Sequence, residues 1–277
     1  MIDWRGVFGR AGSMVYMWCP GLAAIITSLV TRRSLKAIGW TSKLKWLGIG
    51  WLLPIAFGFV AYGLVWITGL GGVPKESFIV NGGMTIGMPG KPAWEIIVAA
   101  FAYISVLMLP PSTITALGEE IAWRGFLVPE LADCVGARGA CVFSGVVWAL
   151  WHMPAILWHG YGGESGTPKT YQVACFTAMV MLSAIVMGWL RLKSGSVWPS
   201  ALVHATHNAV IQNFFDHITT PKAYSAWFVG EFGCALLLPI GLMARYSWRD
   251  LRSVEAVRAA EPALLDRGPA SVAVRIV

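Results

Sequence analysis

Apolar residues in this chain run in long continuous blocks, near 14–30, 46–70, 93–117, 139–158, 171–190, 197–215 and 224–244. Each block is close to the roughly 20 mostly apolar residues that a helix needs to cross a bilayer. They predict an all-α fold, a polytopic transmembrane helical bundle of about seven spans within a range of six to eight. Two stretches between blocks are too rich in breakers to be helical throughout. One is 69–92, with Gly69, Gly71, Gly72, Pro74, Gly82, Gly83, Gly87, Pro89, Gly90 and Pro92, and the other is 159–170, with Gly160, Gly162, Gly163, Gly166 and Pro168. Both read as loops on the same, outer side.

Pro110 and Pro111 remove two adjacent backbone donors and are expected to break the third block. A new helix would then start at Ser112 or Thr113, both reasonable N-caps. No internal repeat or interdomain linker interrupts the chain, which divides into one transmembrane domain, 1–245, and a short cytoplasmic tail, 246–277. The tail mixes Arg with Asp and Glu, a composition expected to be solvated and partly disordered.

Composition agrees with a membrane protein: 56% of the 277 residues are hydrophobic and 13% are charged, too apolar for an ordinary soluble domain. Many of the fifteen Trp, among them Trp40, Trp46, Trp94, Trp158, Trp198 and Trp248, fall near block ends, as interfacial aromatic belts do. The five Cys are scattered without Cys-x-x-Cys spacing and read as small apolar residues. A net charge of +7 raises the question of nucleic acid, but the basic residues form no single stripe and follow membrane topology. Fifteen of the twenty-one Lys and Arg fall on one side, in 31–45, 124–138, 191–193 and the tail from Arg245. The positive-inside rule makes that side cytoplasmic, with the N-terminus outside and the C-terminus inside. Arg5 and Arg10 precede the first block with no small-residue cleavage site after it, so that block reads as an uncleaved span.

Three patches inside this apolar background carry ionisable and polar side chains: Glu119-Glu120-Ile121-Ala122-Trp123-Arg124, then His152, then His204-Ala205-Thr206-His207-Asn208. A charge at mid-bilayer costs about 2.5–3.5 kcal/mol on insertion scales, so such groups usually have partners and a task. Helical spacing sets Glu120 and Arg124 four apart in the order that favours an ion pair. Glu119 points about 100° away, which leaves a second carboxylate in an apolar setting for use as a general base. His204 and Asn208 are also four apart. Read singly, each patch has a structural explanation; together they supply the residue types of a hydrolytic site.

The order Glu-Glu-x-x-x-Arg, aromatic-x-x-x-His and His-x-x-x-Asn resembles the CPBP family of intramembrane proteases, also called the Abi or type II CAAX endopeptidase family. Trp123-Arg124-Gly125-Phe126-Leu127 and Gly195-Ser196-Val197-Trp198-Pro199 extend the likeness, which covers about 110–215. The resemblance implies a CAAX-protease-like core and an intramembrane endopeptidase. Glu119 would activate a water that His152 helps to hold, and His204 with Asn208 would stabilise the oxyanion, while Glu120 and Arg124 support them. His207 and His159 match no motif position and stay outside this expected site. Trp148 stands where the family usually has Phe, a larger ring that keeps the aromatic character.

Metal-free chemistry needs no cofactor. The same residues offer an alternative, zinc held by Glu119, His152 and His204, although His-Glu-x-x-His is absent. A serine protease of rhomboid type would rest on Ser144-Gly145, without the Gly-x-Ser-Gly form, and a di-iron oxygenase would need more than the five His present. The rival from another class is a non-catalytic scaffold or bacteriocin-immunity protein of the same fold. Expected partners are the lipid bilayer and a membrane-associated peptide or protein substrate, with no nucleic acid. The expected location is a bacterial plasma membrane, as a multi-pass protein.

Overall fold

Hydrocarbon offers no partners to backbone N–H and C=O groups, so segments this apolar satisfy them internally, as helices. The computed structural model, which describes residues 4–162 and 166–265, is all-α apart from two strand pairs of residues. Helix α1 (Trp4–Val30) leads through a 3-10 turn, Leu35–Ile38, into α2 (Leu44–Ile67). Within 69–92, expected as loop, a ten-residue helix α3 (Glu76–Thr85) forms. Then come α4 (Ala93–Ala102), α5 (Leu109–Glu120), α6 (Val128–Trp158) and α7 (Lys169–Ser194). The chain ends in α8 (Trp198–Thr206), the short α9 (Asp216–Ile218) and α10 (Ser225–Phe228), and α11 (Leu237–Leu265). Among the described residues, three helical runs are long and apolar enough to cross a membrane: Leu44–Ile67, Leu109–Trp158 and Lys169–Ser194.

Three expectations need correction. The break in the third block falls at Met108, before the prolines rather than after them. Pro110 lies in the first turn of α5, where its missing N–H would have been unpaired anyway, so the pair opens a helix instead of ending one. Ser112 and Thr113 are not caps: their hydroxyls donate to the carbonyls of Ala205 and Leu109. The block 224–244 is not one span either, since turns at 229–236 separate α10 from α11. Finally, α11 continues to Leu265, through much of the tail expected to be solvated and partly disordered. Leu251 is fully buried there, Asp250 accepts from the Trp189 indole at 2.7 Å and pairs with Lys193 at 2.9 Å, and these partners hold its carboxyl below the usual range. Residues 266–277 lie outside the described residues.

The bundle has two distinct ends. At one, loops poor in Lys and Arg meet: Gly71–Gly72 pairs antiparallel with Thr220–Pro221, Lys75 N donates to Ile218 O, and Tyr161 reaches Glu231. At the other, Arg191 donates to the carbonyls of Arg124 and Ala37, and Arg33 pairs with Glu130.

Close backbone approach sets the site's floor. Helix α1 packs on α5 where a Cβ on Gly118 would come within 2.6 Å of Met17 O and 2.8 Å of Trp18 Cα. Only glycine lets α1 lie against the turn that carries the two carboxylates. Gly118→Ala is expected to lower stability by about 1–3 kcal/mol, the usual cost of overpacking, read as a fall in melting temperature of the purified protein. Further along, Gly136 adopts φ 77° and ψ 164°, a break that ends the helix carrying the acidic pair and starts the one carrying His152.

Candidate active site

Two of the three patches sit beside a π-helical turn. Ile121–Leu127 follows the acidic pair, and His207–Phe215 follows His204 and contains Asn208. Such turns recur at functional sites because they re-aim side chains and release carbonyls from the regular ladder. Here the released groups find side chains five residues on: Asn213 donates to Asn208 O at 2.8 Å, and His217 lies 2.7 Å from Gln212 O.

The predicted ion pair is present. Arg124 Nη1 lies 3.0 Å from Glu120 Oε1, and both side chains are completely buried. His204 Nδ1 lies 3.0 Å from the same oxygen, so Glu120 neutralises or orients two groups at once. Arg124 also stacks its guanidinium 4.3 Å above the centre of the Trp148 ring, a cation–π contact strengthened by desolvation. Glu119, 1% exposed, takes no part in this pair. Its Oε2 accepts from the Trp148 indole at 2.6 Å and from the Trp123 indole at 3.4 Å. A Phe at position 148 could make neither the hydrogen bond nor so broad a platform, so the departure at Trp148 changes the surroundings of the carboxylate directly.

His152 Nδ1 lies 2.9 Å from Trp148 O. A carbonyl only accepts, so this nitrogen carries a proton, and in the neutral imidazole Nε2 keeps its lone pair. Gln212 Nε2 donates to Asn208 Oδ1 at 3.4 Å, which leaves the Asn208 amide N–H groups for another acceptor.

A cavity of about 280 Å³ gathers these groups. Its walls include Glu119, His152, His204 and Asn208, drawn from three separate segments, together with apolar residues such as Phe57, Phe176 and Met187. Glu120 and Arg124 lie behind that wall. The cavity also holds a group left out of the sequence expectation: His207 Nε2 is 2.9 Å from Glu231 Oε1, and Tyr161 donates to Glu231 Oε2 at 2.7 Å. His207 had a signal in its spacing, three residues from His204. Glu231 had none, because the turn that carries it was hidden inside an apolar block.

Ser144 does not line the cavity; it is fully buried and its hydroxyl faces Trp123 O at 3.4 Å. Among the described residues, no three His, Cys, Asp or Glu side chains converge as a metal-ligating group. Glu119, His152 and His204 share the cavity without that convergence, and the Nδ1 of both His are engaged, by Trp148 O and Glu120.

Comparison with known proteins reaches the same part of the chain. Residues 94–210 match the family described as type II CAAX prenyl endopeptidase Rce1-like. A curated relative, CAAX prenyl protease 2 of Methanococcus maripaludis, is 27% identical over 93 residues, 33% of this chain. The chain spans about a third of that relative's length, 34%. The matched stretch, 94–210, contains all six motif side chains and is similar to that type II CAAX prenyl endopeptidase Rce1-like family, as the three motifs are.

Proposed function

We propose that the protein is an intramembrane endopeptidase of glutamate type. The observation that carries this reading is the single cavity in which Glu119, His152, His204 and Asn208 meet. Glu119 Oε1 takes a proton from a water that the His152 Nε2 lone pair holds, and the resulting hydroxide adds to the scissile carbonyl. Asn208 Nδ2 and His204 Nε2 then donate to the oxyanion. For that donation His204 carries both protons, and Glu120 supplies the countercharge. Collapse of the intermediate breaks the C–N bond, and Glu119 returns its proton to the leaving amine. Glu120, Arg124 and Trp148 position these groups.

In the metal-free form proposed here, the Nδ1 contacts of both His leave each Nε2 facing the reaction, one toward water and one toward the oxyanion. The substrate on this reading is a membrane-associated peptide or protein. The orientation that fits the chain places the Lys- and Arg-rich end in the cytoplasm of a bacterial cell.

The test compares membranes from cells making wild-type protein with membranes from cells making Glu119→Ala at equal abundance, by mass spectrometry of peptide termini. New termini confined to the wild type are the expected result. Identical termini with both proteins folded would overturn the reading. Stoichiometric zinc in the purified wild type, lost in His152→Ala/His204→Ala, would overturn the metal-free form.

A further inference from the structure

An endopeptidase has to hold its substrate on both sides of the bond it cuts. The cavity, at about 280 Å³, falls just below the roughly 300–1,000 Å³ that encloses a drug-sized ligand, so flanking residues of a peptide need another place to lie. A second, open groove of about 740 Å³ adjoins it, and the two share Asn208 and Gln212. The groove's other walls come from α3, from the turn before Met108, from α5 and from the π segment after α8. They carry Asn81, Thr115, Asn213 and His217.

Apolar residues such as Phe78, Ile86, Ile104 and Met108 form much of this groove, and the exposure of its polar groups has a direction. Asn81, Asn213 and His217 are exposed, whereas Thr115, Asn208 and Gln212 are half-buried. Polar surface at membrane depth is tolerated where it faces water or packed protein rather than lipid. Asn213 and His217 are pinned along the wall by their bonds to the carbonyls of Asn208 and Gln212, so the groove is formed before anything enters it. Its mouth lies beside Lys75 and His217, at the end where the loops poor in Lys and Arg meet.

We propose that this groove, with apolar walls and polar groups spaced along them, binds an extended peptide segment of a substrate presented on the extracytoplasmic face. The segment crosses the Asn208–Gln212 wall to bring the scissile bond beside Glu119. This assignment deepens the protease reading and rests on it. It gives the site a substrate class, an extended main chain with both apolar and polar side chains entering from outside the cytoplasm.

Thr115→Cys and Asn81→Cys, each with Cys19 and Cys234 replaced by Ser, test it. Intact cells are treated with a charged, membrane-impermeant methanethiosulfonate. Cys134, exposed on α6 at the Lys- and Arg-rich end, is the sidedness control and should react only in permeabilised membranes. Both introduced thiols are expected to react from outside, and modification at 115 is expected to lower formation of the wild-type-dependent termini by about tenfold or more, through misplacement of the chain. Reaction only after permeabilisation, or full modification with undiminished cleavage, would overturn the proposal. Failure of the protease reading shows separately, as cleavage that persists in Glu119→Ala.

Discussion

Glu119→Gln is expected to remove nearly all cleavage, by about 10⁴-fold, while the protein remains folded. Gln keeps the shape of Glu and an oxygen that accepts from the Trp148 and Trp123 indoles, so the cavity wall stays in place. What is lost is a group able to take the proton of water, and general base catalysis is worth up to about 10⁴. Asn208→Ala, by contrast, removes one of the two proposed oxyanion donors, an expected loss of about 10²–10³, and leaves the other, His204. Rates measured on purified protein therefore rank wild type above Asn208→Ala and Asn208→Ala above Glu119→Gln. The reverse order of the two variants would sink the assignment of Glu119 as base.

Arg124→Met is expected to destabilise the protein by about 3–5 kcal/mol, because it strands a carboxylate in a completely buried site. Methionine fills much of the volume over the Trp148 ring, so the loss reports charge rather than a hole. The double variant Glu120→Gln/Arg124→Met removes both charges, and recovery of most of the melting temperature is expected. Activity is not expected to follow, because His204 Nδ1 then faces an amide in place of its carboxylate partner at 3.0 Å. A double variant as unstable as Arg124→Met would show that the guanidinium acts through packing and not through the ion pair.

The helical bundle was readable because blocks of Val, Ile, Leu and Phe leave little choice in a membrane. The acidic patch was readable for a similar reason, since a buried charge needs a partner and Arg124 stood four residues away. Breaks were harder. Two prolines mark a helix boundary without saying on which side of them it falls, and here the helix starts at Leu109. Turns at 229–236 interrupt a run whose composition is still apolar, with Phe228, Val229, Phe232 and Ala235. That hid Glu231, and with it the partner of His207. The π turns were also out of sight: no local residue type dictates an extra residue per turn, so the four-residue spacing after Glu120 and His204 reads as regular helix.

Trp148 has one more consequence. Both indole donors end on the same oxygen of Glu119, Oε2, and an indole N–H gives a proton without accepting one. Proton uptake is therefore confined to Oε1, which makes the carboxylate one-sided. In the proposed mechanism the water therefore has one edge of this carboxylate to approach, the edge that the two indoles leave open.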